Sequence, residues 1–306
     1  MVGAGKLSDS PGIRDGRFVP RWEMRTTQTA LIVFAAGTTM LAASGITQWI
    51  GASLHLAGFP VPAGHAVLSE HELLEIETMP PQQQALRLLE RAINGYRGAL
   101  EQIERRVDGW NGKLEEDQKF NQLTSVAYCA GDLRVRSAAI EMSLAAYGLT
   151  KTSQSVDQQL ELLRNGGLQK RFYPLWKLGL LGNRGVERET VFRALTDHLK
   201  DPDVLSRRWA VEAVGLLGTD EAIAPLLEVF RTDPSPEIRE RAACNLADSG
   251  LLTRDQRRKA IPDLMKMMDN PSLDAQTRGW VFQALREISG ERLGDEPSAW
   301  RNWWNR

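Results

Sequence analysis

One spacing of arginine and glycine recurs along the chain and limits how it can fold. Five arginines share the pattern: nonpolar residues follow three and four positions later, and a glycine follows after eleven or twelve positions. Nonpolar residues at this spacing lie on one face of a helix, and glycine commonly ends helices. The arginines are separated by 35, 36, 32 and 39 residues, at Arg136, Arg171, Arg207, Arg239 and Arg278. Such a period is typical of stacked helical hairpins, because one hairpin cannot bury its apolar face alone.

The turns before these helices favour the same interpretation. The segments "DPDV" after Lys200, "DPSPE" after Thr232 and "NPSLD" after Asp269 combine proline with aspartate or asparagine, which favour turns. Another apolar helical pattern precedes each turn. Beyond Ser69, no alternation of apolar and polar residues is long enough for a useful strand, so the sequence predicts an all-α fold.

The segment "ALTDHLKDPDVLSRRWAVEAVGLLGTDEAIAPLLEVFRTDPSPEIRERAACNLADSG" resembles tandem HEAT repeats, with an Asp-Pro turn, an early arginine in the second helix and a terminal glycine. The resemblance covers residues 115–290 and is close to a HEAT-like subtype of bacterial proteins and bilin lyases. It implies a right-handed α-solenoid of about five hairpins, with the second helices on the concave side. It also implies a structural ladder between the arginines and the turn aspartates, with Arg136, Arg207 and Arg239 as members.

The residues before the repeats predict two capping helices. The segment "SEHE" at Ser69 is a capping-box pattern that opens a short helix ending near Thr78. Pro80 and Pro81 interrupt the pattern and suit the first turn of the next helix. From there an apolar stripe continues to Val107, which predicts one long amphipathic helix.

The N-terminal part has a different composition. No Asp, Glu, Lys or Arg occurs from Thr26 to Ser69, and the apolar run Ala30 to Ile50 is long enough to cross a bilayer core as a helix. Five basic residues precede it, and the next one is Arg87, so the positive-inside rule places the N-terminus in the cytoplasm. The run is interpreted as a retained signal anchor; a signal peptide starting at Met24 and then cleaved, or a buried soluble helix, are the alternatives.

These patterns divide the chain into six predicted segments. They are a cytoplasmic tail (1–28), a transmembrane signal-anchor helix (29–51), a linker (52–68), capping helices (69–112), a HEAT-like repeat domain (113–290) and a Trp-rich cap (291–306). The repeat domain is expected in the periplasm or outside the cell, as part of a single-pass membrane protein.

Composition and motifs argue against several other classes. The 38 basic and 39 acidic residues are balanced, which does not favour a nucleic-acid-binding protein. The two cysteines, Cys129 and Cys244, are far apart and show neither a disulfide framework nor zinc-ligand spacing. The four histidines show no ligand spacing either, and no nucleophile motif is present. The sequence therefore predicts a non-enzymatic protein without metal or cofactor.

Two groups of aromatic residues remain. Positions two and five after each arginine lie opposite the buried stripe of the second helix, and large aromatics occupy them in three of five repeats. The resulting candidate groove for a partner comprises Tyr173, Trp176, Trp209, Arg241 and Trp280. Packing against the adjacent repeat is the alternative for these rings. At the C-terminus, "DEPSAWRNWWNR" predicts a short helix that covers the last repeat with Trp300, Trp303 and Trp304.

The sequence as a whole favours a membrane-tethered scaffold that binds a protein or peptide in its concave groove. An enzyme of the bilin-lyase type, an exported soluble repeat protein left by signal-peptide cleavage, and a purely structural spacer are the alternatives. HEAT repeats do not by themselves imply an activity.

Overall fold

The computed structural model describes residues 13–14, 17–18, 66–167 and 171–306. Strands β1 (Ile13–Arg14) and β2 (Arg17–Phe18) form a short antiparallel pair. The rest of the predicted tail, the predicted anchor at 29–51 and the linker up to residue 65 lie outside the described residues. Among the residues described, no helix combines the length and the apolar character needed to cross a membrane.

The described chain beyond residue 66 is helical, as the sequence predicts. Three helices come first, followed by a 3-10 turn at Val107–Trp110: α1 (Glu70–Thr78), α2 (Pro81–Ile93) and α3 (Ala99–Arg106). Five helical hairpins follow: α4 (Gln118–Tyr128) with α5 (Leu133–Ala146), α6 (Ser153–Asn165) with α7 (Phe172–Asn183), α8 (Arg188–His198) with α9 (Val204–Leu217), α10 (Ile223–Thr232) with α11 (Pro236–Cys244), and α13 (Ile261–Met268) with α14 (Ala275–Ser289).

Shorter elements complete the description. A 3-10 turn (Asp220–Ala222) precedes α10, and a π-helical turn (Asn245–Ser249) extends α11. Helix α12 (Arg254–Arg258) lies between the fourth and fifth hairpins, and α15 (Pro297–Trp304) ends the chain.

Several helices begin where the sequence supplies a side chain that caps them. Ser69 accepts a hydrogen bond from the Glu72 amide at the start of α1, as the capping-box pattern predicts. Asp203 accepts from Ser206 at the start of α9, and Asp274 does the same for Thr277 at α14. These bonds satisfy amide groups that have no partner within the helix. The polar turns therefore set the first residues of α9 and α14.

The predicted long helix up to Val107 is wrong, because the chain turns between α2 and α3. Gly95 and Gly98 have positive φ angles of 74° and 90°, a backbone region that glycine enters readily. The apolar stripe continues through the break because both helices cover the same core. Periodicity alone therefore cannot reveal a turn of this kind.

The predicted role of the repeat glycines is confirmed at three positions and wrong at two others. Gly148, directly after the C-cap residue of α5, has a φ angle of 64°, and Gly218 and Gly290 end α9 and α14 with φ angles of 63° and 80°. Gly182 instead lies inside α7, where a Cβ atom would come within 2.6 Å of Leu217. Gly250 is extended and follows the π-helical turn. These two glycines permit close packing rather than a left-handed cap.

The second helices form a continuous row in the order α5, α7, α9, α11 and α14, each packed on the next. One apolar core joins the N-terminal helices to the inner side of the first hairpin, and a larger one runs from α5 to Trp300. The two cores meet on α5, where Ala139 belongs to the first and Ile140 to the second. The described residues therefore form a helical stack consistent with an α-solenoid.

Helices α7 and α9 of the row approach each other closely at Gly179, so a small residue is required there. A Cβ atom at Gly179 would lie 2.9 Å from the Cα and carbonyl oxygen of Ala213, whose backbone cannot rotate away. We expect Gly179→Ala to lower the free energy of unfolding by about 1–3 kcal/mol, measured by urea denaturation. Gly279 in α14 is the control, because a Cβ atom there meets nothing within 4 Å. Gly279→Ala should be stabilising by up to about 1 kcal/mol, and equal effects of the two substitutions would contradict this packing.

Candidate functional site

Four aromatic rings lie in contact where the first three hairpins meet. The Tyr128 and Trp176 rings meet edge to face with centroids 5.6 Å apart, and Trp176 and Trp209 do so at 6.0 Å. The Phe172 ring stacks on Trp209 at 6.3 Å. Aromatic pairs in such arrangements stabilise the fold by more than the burial of their apolar area alone. The rings therefore hold each other in defined orientations along α4, α7 and α9.

These rings are anchored on one side and accessible on the other. Trp176 and Trp209 are half-buried and pack against the larger core, while Tyr173, directly after Phe172 on α7, is 53% exposed. We call Tyr128, Phe172, Tyr173, Trp176 and Trp209 the aromatic surface. Tryptophan and tyrosine held in this way have the composition of anchors in protein interfaces.

The other two predicted groove residues lie farther along the row of second helices. Trp280 on α14 is half-buried and borders a small cleft with Glu240 and Cys244. Arg241 on α11 is 8% exposed, and its Nε donates to Glu212 on α9. The structure thus brings Tyr173, Trp176 and Trp209 together, whereas Arg241 serves an ion pair between neighbouring helices. Neither Trp209 nor Trp280 is fully enclosed.

Sequence reasoning missed part of the aromatic surface. Tyr128 ends α4, a first helix, so counting from the repeat arginines could not find it. Phe172 directly follows Arg171, whereas counting two and five positions from Arg171 selects Tyr173 and Trp176. The aromatic run "RFYPLW" was the available signal for Phe172.

Near the aromatic surface, the Lys177 ammonium lies 4.6 Å from the centre of the Tyr147 ring, and burial lowers the pKa of this lysine.

An ion pair supports the row beside the aromatic surface. Glu212 accepts from Arg241 and, at 3.1 Å, from the Asn245 side chain. Burial acts to raise the pKa of Glu212, but the charge of Arg241 and these hydrogen bonds outweigh it and hold the pKa below its usual value. The ionised carboxylate is therefore the form that the folded state prefers.

This preference gives the folding stability a defined pH dependence. Because the pKa of Glu212 is lower when folded, its contribution to stability is present above its unfolded pKa, near 4.5, and is lost as the pH falls through the folded value. We expect Glu212→Gln to be less stable than the wild type at pH 7, and the difference to shrink toward pH 3. The measurement is the free energy of unfolding against pH. A difference that stays constant across this range would contradict the assignment.

The arginine ladder joins successive hairpins at their turns. Arg207 donates to both carboxylate oxygens of Asp233, at 2.7 and 3.1 Å, and Arg239 donates to Asp274 at 2.9 Å. Each aspartate belongs to the turn of the next hairpin. Arg171 extends the ladder with a distance of 3.6 Å between its Nη1 and Asp201. Paired and hydrogen-bonded in this way, the guanidinium groups lock neighbouring hairpins in register.

Arg136 departs from the predicted ladder. Its guanidinium is buried and donates at 2.8 and 2.9 Å to the carbonyl oxygens of Asp248 and Gly250, at the end of the fourth hairpin. The π-helical turn leaves those carbonyls without helical donors, and Arg257 also donates to them. The sequence assigns Arg136 to the adjacent turn, but the path of the chain brings a more distant hairpin against α5.

The C-terminal tryptophans differ in their surroundings. Trp300 is fully buried at the end of the larger core, and its indole N–H donates to the Gly294 carbonyl at 2.8 Å. Trp303 is half-buried against it, with ring centroids 5.6 Å apart. Trp304 is 44% exposed. The structure therefore places Trp300, more than the other two, over the final hairpin.

The cysteines and acidic groups form no metal centre within the parts of the chain that are described. Cys129 and Cys244 are both free thiols, and burial raises the pKa of Cys244 to about 11. A thiol with so high a pKa is a poor nucleophile at neutral pH. Across residues 66–167 and 171–306, no three His, Cys, Asp or Glu side chains are placed to hold a metal ion.

One segment of the chain matches a family of helical repeats. Residues 174–247 match the family described as HEAT repeats. No curated protein matches the sequence. Among solved structures, the chain is similar to the crystal structure of an engineered protein at 16% identity, with a TM-score of 0.34, over 72% of this chain and 96% of that one. The matched segment contains most of α7 and all of α8 to α11. The comparison therefore identifies HEAT repeats in residues 174–247.

Proposed function

We propose that this protein is a non-enzymatic scaffold that binds a protein or peptide partner through the aromatic surface. The observation that carries the proposal is the edge-to-face series Tyr128, Trp176 and Trp209, which is packed from behind and open in front. Rigid aromatic side chains lose little conformational entropy on binding and favour interface anchors. HEAT repeats generally provide extended binding surfaces of this type.

The row of second helices is the proposed wall of the binding groove, in a right-handed solenoid. A partner that lies along the row from α7 to α14 meets the aromatic surface first and then Trp280 beside Glu240. Within this groove, Arg241 and Glu212 keep α9 and α11 in register. Extended peptides with apolar side chains suit such a path, because successive side chains can enter the spaces between rings.

The proposal also includes a membrane tether formed by residues 29–51. Its support is the charge-free apolar run and the basic residues that precede it. The repeats would then face the periplasm or the cell exterior. A reporter fused after Arg306 tests this topology: alkaline phosphatase activity supports export, whereas fluorescence of a cytoplasmic-only reporter would contradict it.

The binding proposal is tested by photo-crosslinking in the native cell. A photoreactive phenylalanine at exposed Tyr173 should yield one discrete crosslinked protein, and the additional substitution Trp176→Ala should abolish it. The same probe at exposed Gln158, on the first helix of that hairpin, is the control and should not capture this protein. Equal capture from both positions, or capture that does not depend on Trp176, would contradict binding at the aromatic surface.

A further inference from the structure

Lys177 places a positive charge at the edge of the aromatic surface. It follows Trp176 directly on α7 and lies four positions after the exposed Tyr173, so the two side chains are neighbours on the helix surface. Its side chain is half-buried, and its Nζ lies 4.6 Å from the centre of the Tyr147 ring, just after α5. A partner that contacts Tyr173 therefore also reaches this ammonium.

No carboxylate among the described residues contacts this ammonium. Apart from its position over the Tyr147 ring, the Nζ of Lys177 makes no ion pair or hydrogen bond with the described part of the chain. Burial lowers the pKa of Lys177, and the charge of Glu116 opposes this effect only in part. The ammonium has therefore lost part of its hydration without gaining a counter-ion in contact, which is unfavourable for a charged group.

The groups around the lysine do not supply this counter-ion. Burial raises the pKa of Tyr147 well above its usual value, so its phenol stays neutral beside the ammonium. The carboxylates of the adjacent helices are held by arginines: Glu141 accepts from Arg184 at 3.2 Å, and Glu212 accepts from Arg241. The charge of the lysine is therefore free to pair with an anionic group of the partner.

We propose that Lys177 binds an aspartate or glutamate side chain of the partner, next to an apolar side chain that packs on Tyr173 and Trp176. This inference rests on the proposed function and adds the charge that the partner carries. The ion pair replaces the hydration that the ammonium has lost, and the surrounding rings exclude water, which strengthens the attraction. A side chain is expected rather than a chain end, because the proposed groove continues past α7 toward Trp280.

Carbodiimide coupling tests this contact in the wild-type protein. The reagent joins an amine to a carboxylate only where the two groups touch. The partner captured by the photoreactive probe at Tyr173 is purified and mixed with the full-length protein. Mass spectrometry should then find an amide between Lys177 and an aspartate or glutamate side chain of this partner. Coupling of the partner only through other lysines, or only through its chain end, would overturn the inference.

Calorimetric titration with the same partner measures the energetic effect of the charge. Lys177→Gln should raise the Kd at least about fivefold, because a charge-assisted hydrogen bond is lost. The difference from the wild type should narrow as the salt concentration rises, since salt screens the ion pair. Lys266→Gln, at an exposed lysine on α13, removes the same charge and is the matched control, so it should bind as the wild type does. An equal Kd for the two variants would contradict the ion pair.

These outcomes separate the ion pair from the proposed function. If capture at Tyr173 depends on Trp176 but Lys177→Gln leaves the Kd unchanged, the aromatic surface binds its partner without this carboxylate, and the ion pair alone is wrong. If the probe at Tyr173 captures no discrete protein, binding at the aromatic surface is wrong and the ion pair with it.

Discussion

Replacement of Trp300 by alanine should be among the most destabilising single changes in this chain. The side chain is fully buried, closes the larger core and donates its indole N–H to Gly294. Truncation of such a ring costs about 3–5 kcal/mol, because apolar contacts are lost and a cavity remains. In a stack of hairpins, the loss should fall first on the adjacent unit, α13 and α14. Amide hydrogen exchange of residues 261–289 is the direct measurement.

Trp304→Ala provides the matched control for this prediction. It removes the same side chain from the same helix, but the ring is 44% exposed. Its effect on the free energy of unfolding should be clearly smaller than that of Trp300→Ala, because the ring contacts Trp303 but much of it already lies in solvent. If exchange of residues 261–289 stays unchanged in Trp300→Ala, the tryptophan does not cap the final hairpin.

Removing the charge of the most buried aspartate in the arginine ladder should destabilise the fold almost as much as Trp300→Ala. Arg207 and Asp233 have side chains 11% and 3% exposed and share two hydrogen bonds. Asp233→Asn keeps the acceptor that the Ser235 amide uses but removes the charge opposite Arg207. A buried cation left without its partner costs about 3–5 kcal/mol, so urea denaturation should show a loss of this order.

An exposed ion pair is the control for the ladder. The Arg193 and Glu189 side chains are 67% and 90% exposed, and such pairs contribute about 0–1 kcal/mol. Glu189→Gln should therefore change stability little. The double variant Arg207→Met/Asp233→Leu should recover much of the loss, because it leaves no unpaired charge. A loss in Asp233→Asn no larger than in Glu189→Gln would contradict the structural role of the ladder.

The sequence predicts those parts of the fold that are determined by residues close to one another in the chain. The turn before α9 carries its own capping aspartate, and Gly218 ends that helix in the left-handed region, so both ends follow from neighbouring residues. The ladder at Arg207 and Arg239 follows from the same repeat. Local patterns of this kind act within one hairpin or between adjacent hairpins.

The parts that the sequence does not predict depend on the path of the whole chain. Arg136 contacts a hairpin more than 100 positions away, and no local signal indicates that partner. Gly182 resembles the cap glycines in spacing, but its position against Leu217 depends on how closely α7 and α9 approach. Tyr128 joins the aromatic surface for the same reason, because three hairpins must first be stacked.

The binding role of the aromatic surface is measured most directly by the affinity of the crosslinked partner for Trp209→Ala. The ring contacts both Trp176 and Phe172 and is only half-buried, so its truncation should cost less stability than that of Trp300. With the variant shown to be folded by its melting curve, calorimetric titration with the purified partner should give a Kd at least about 30-fold above the wild type, the equivalent of about 2 kcal/mol. An unchanged Kd in a folded Trp209→Ala variant would contradict binding through this surface.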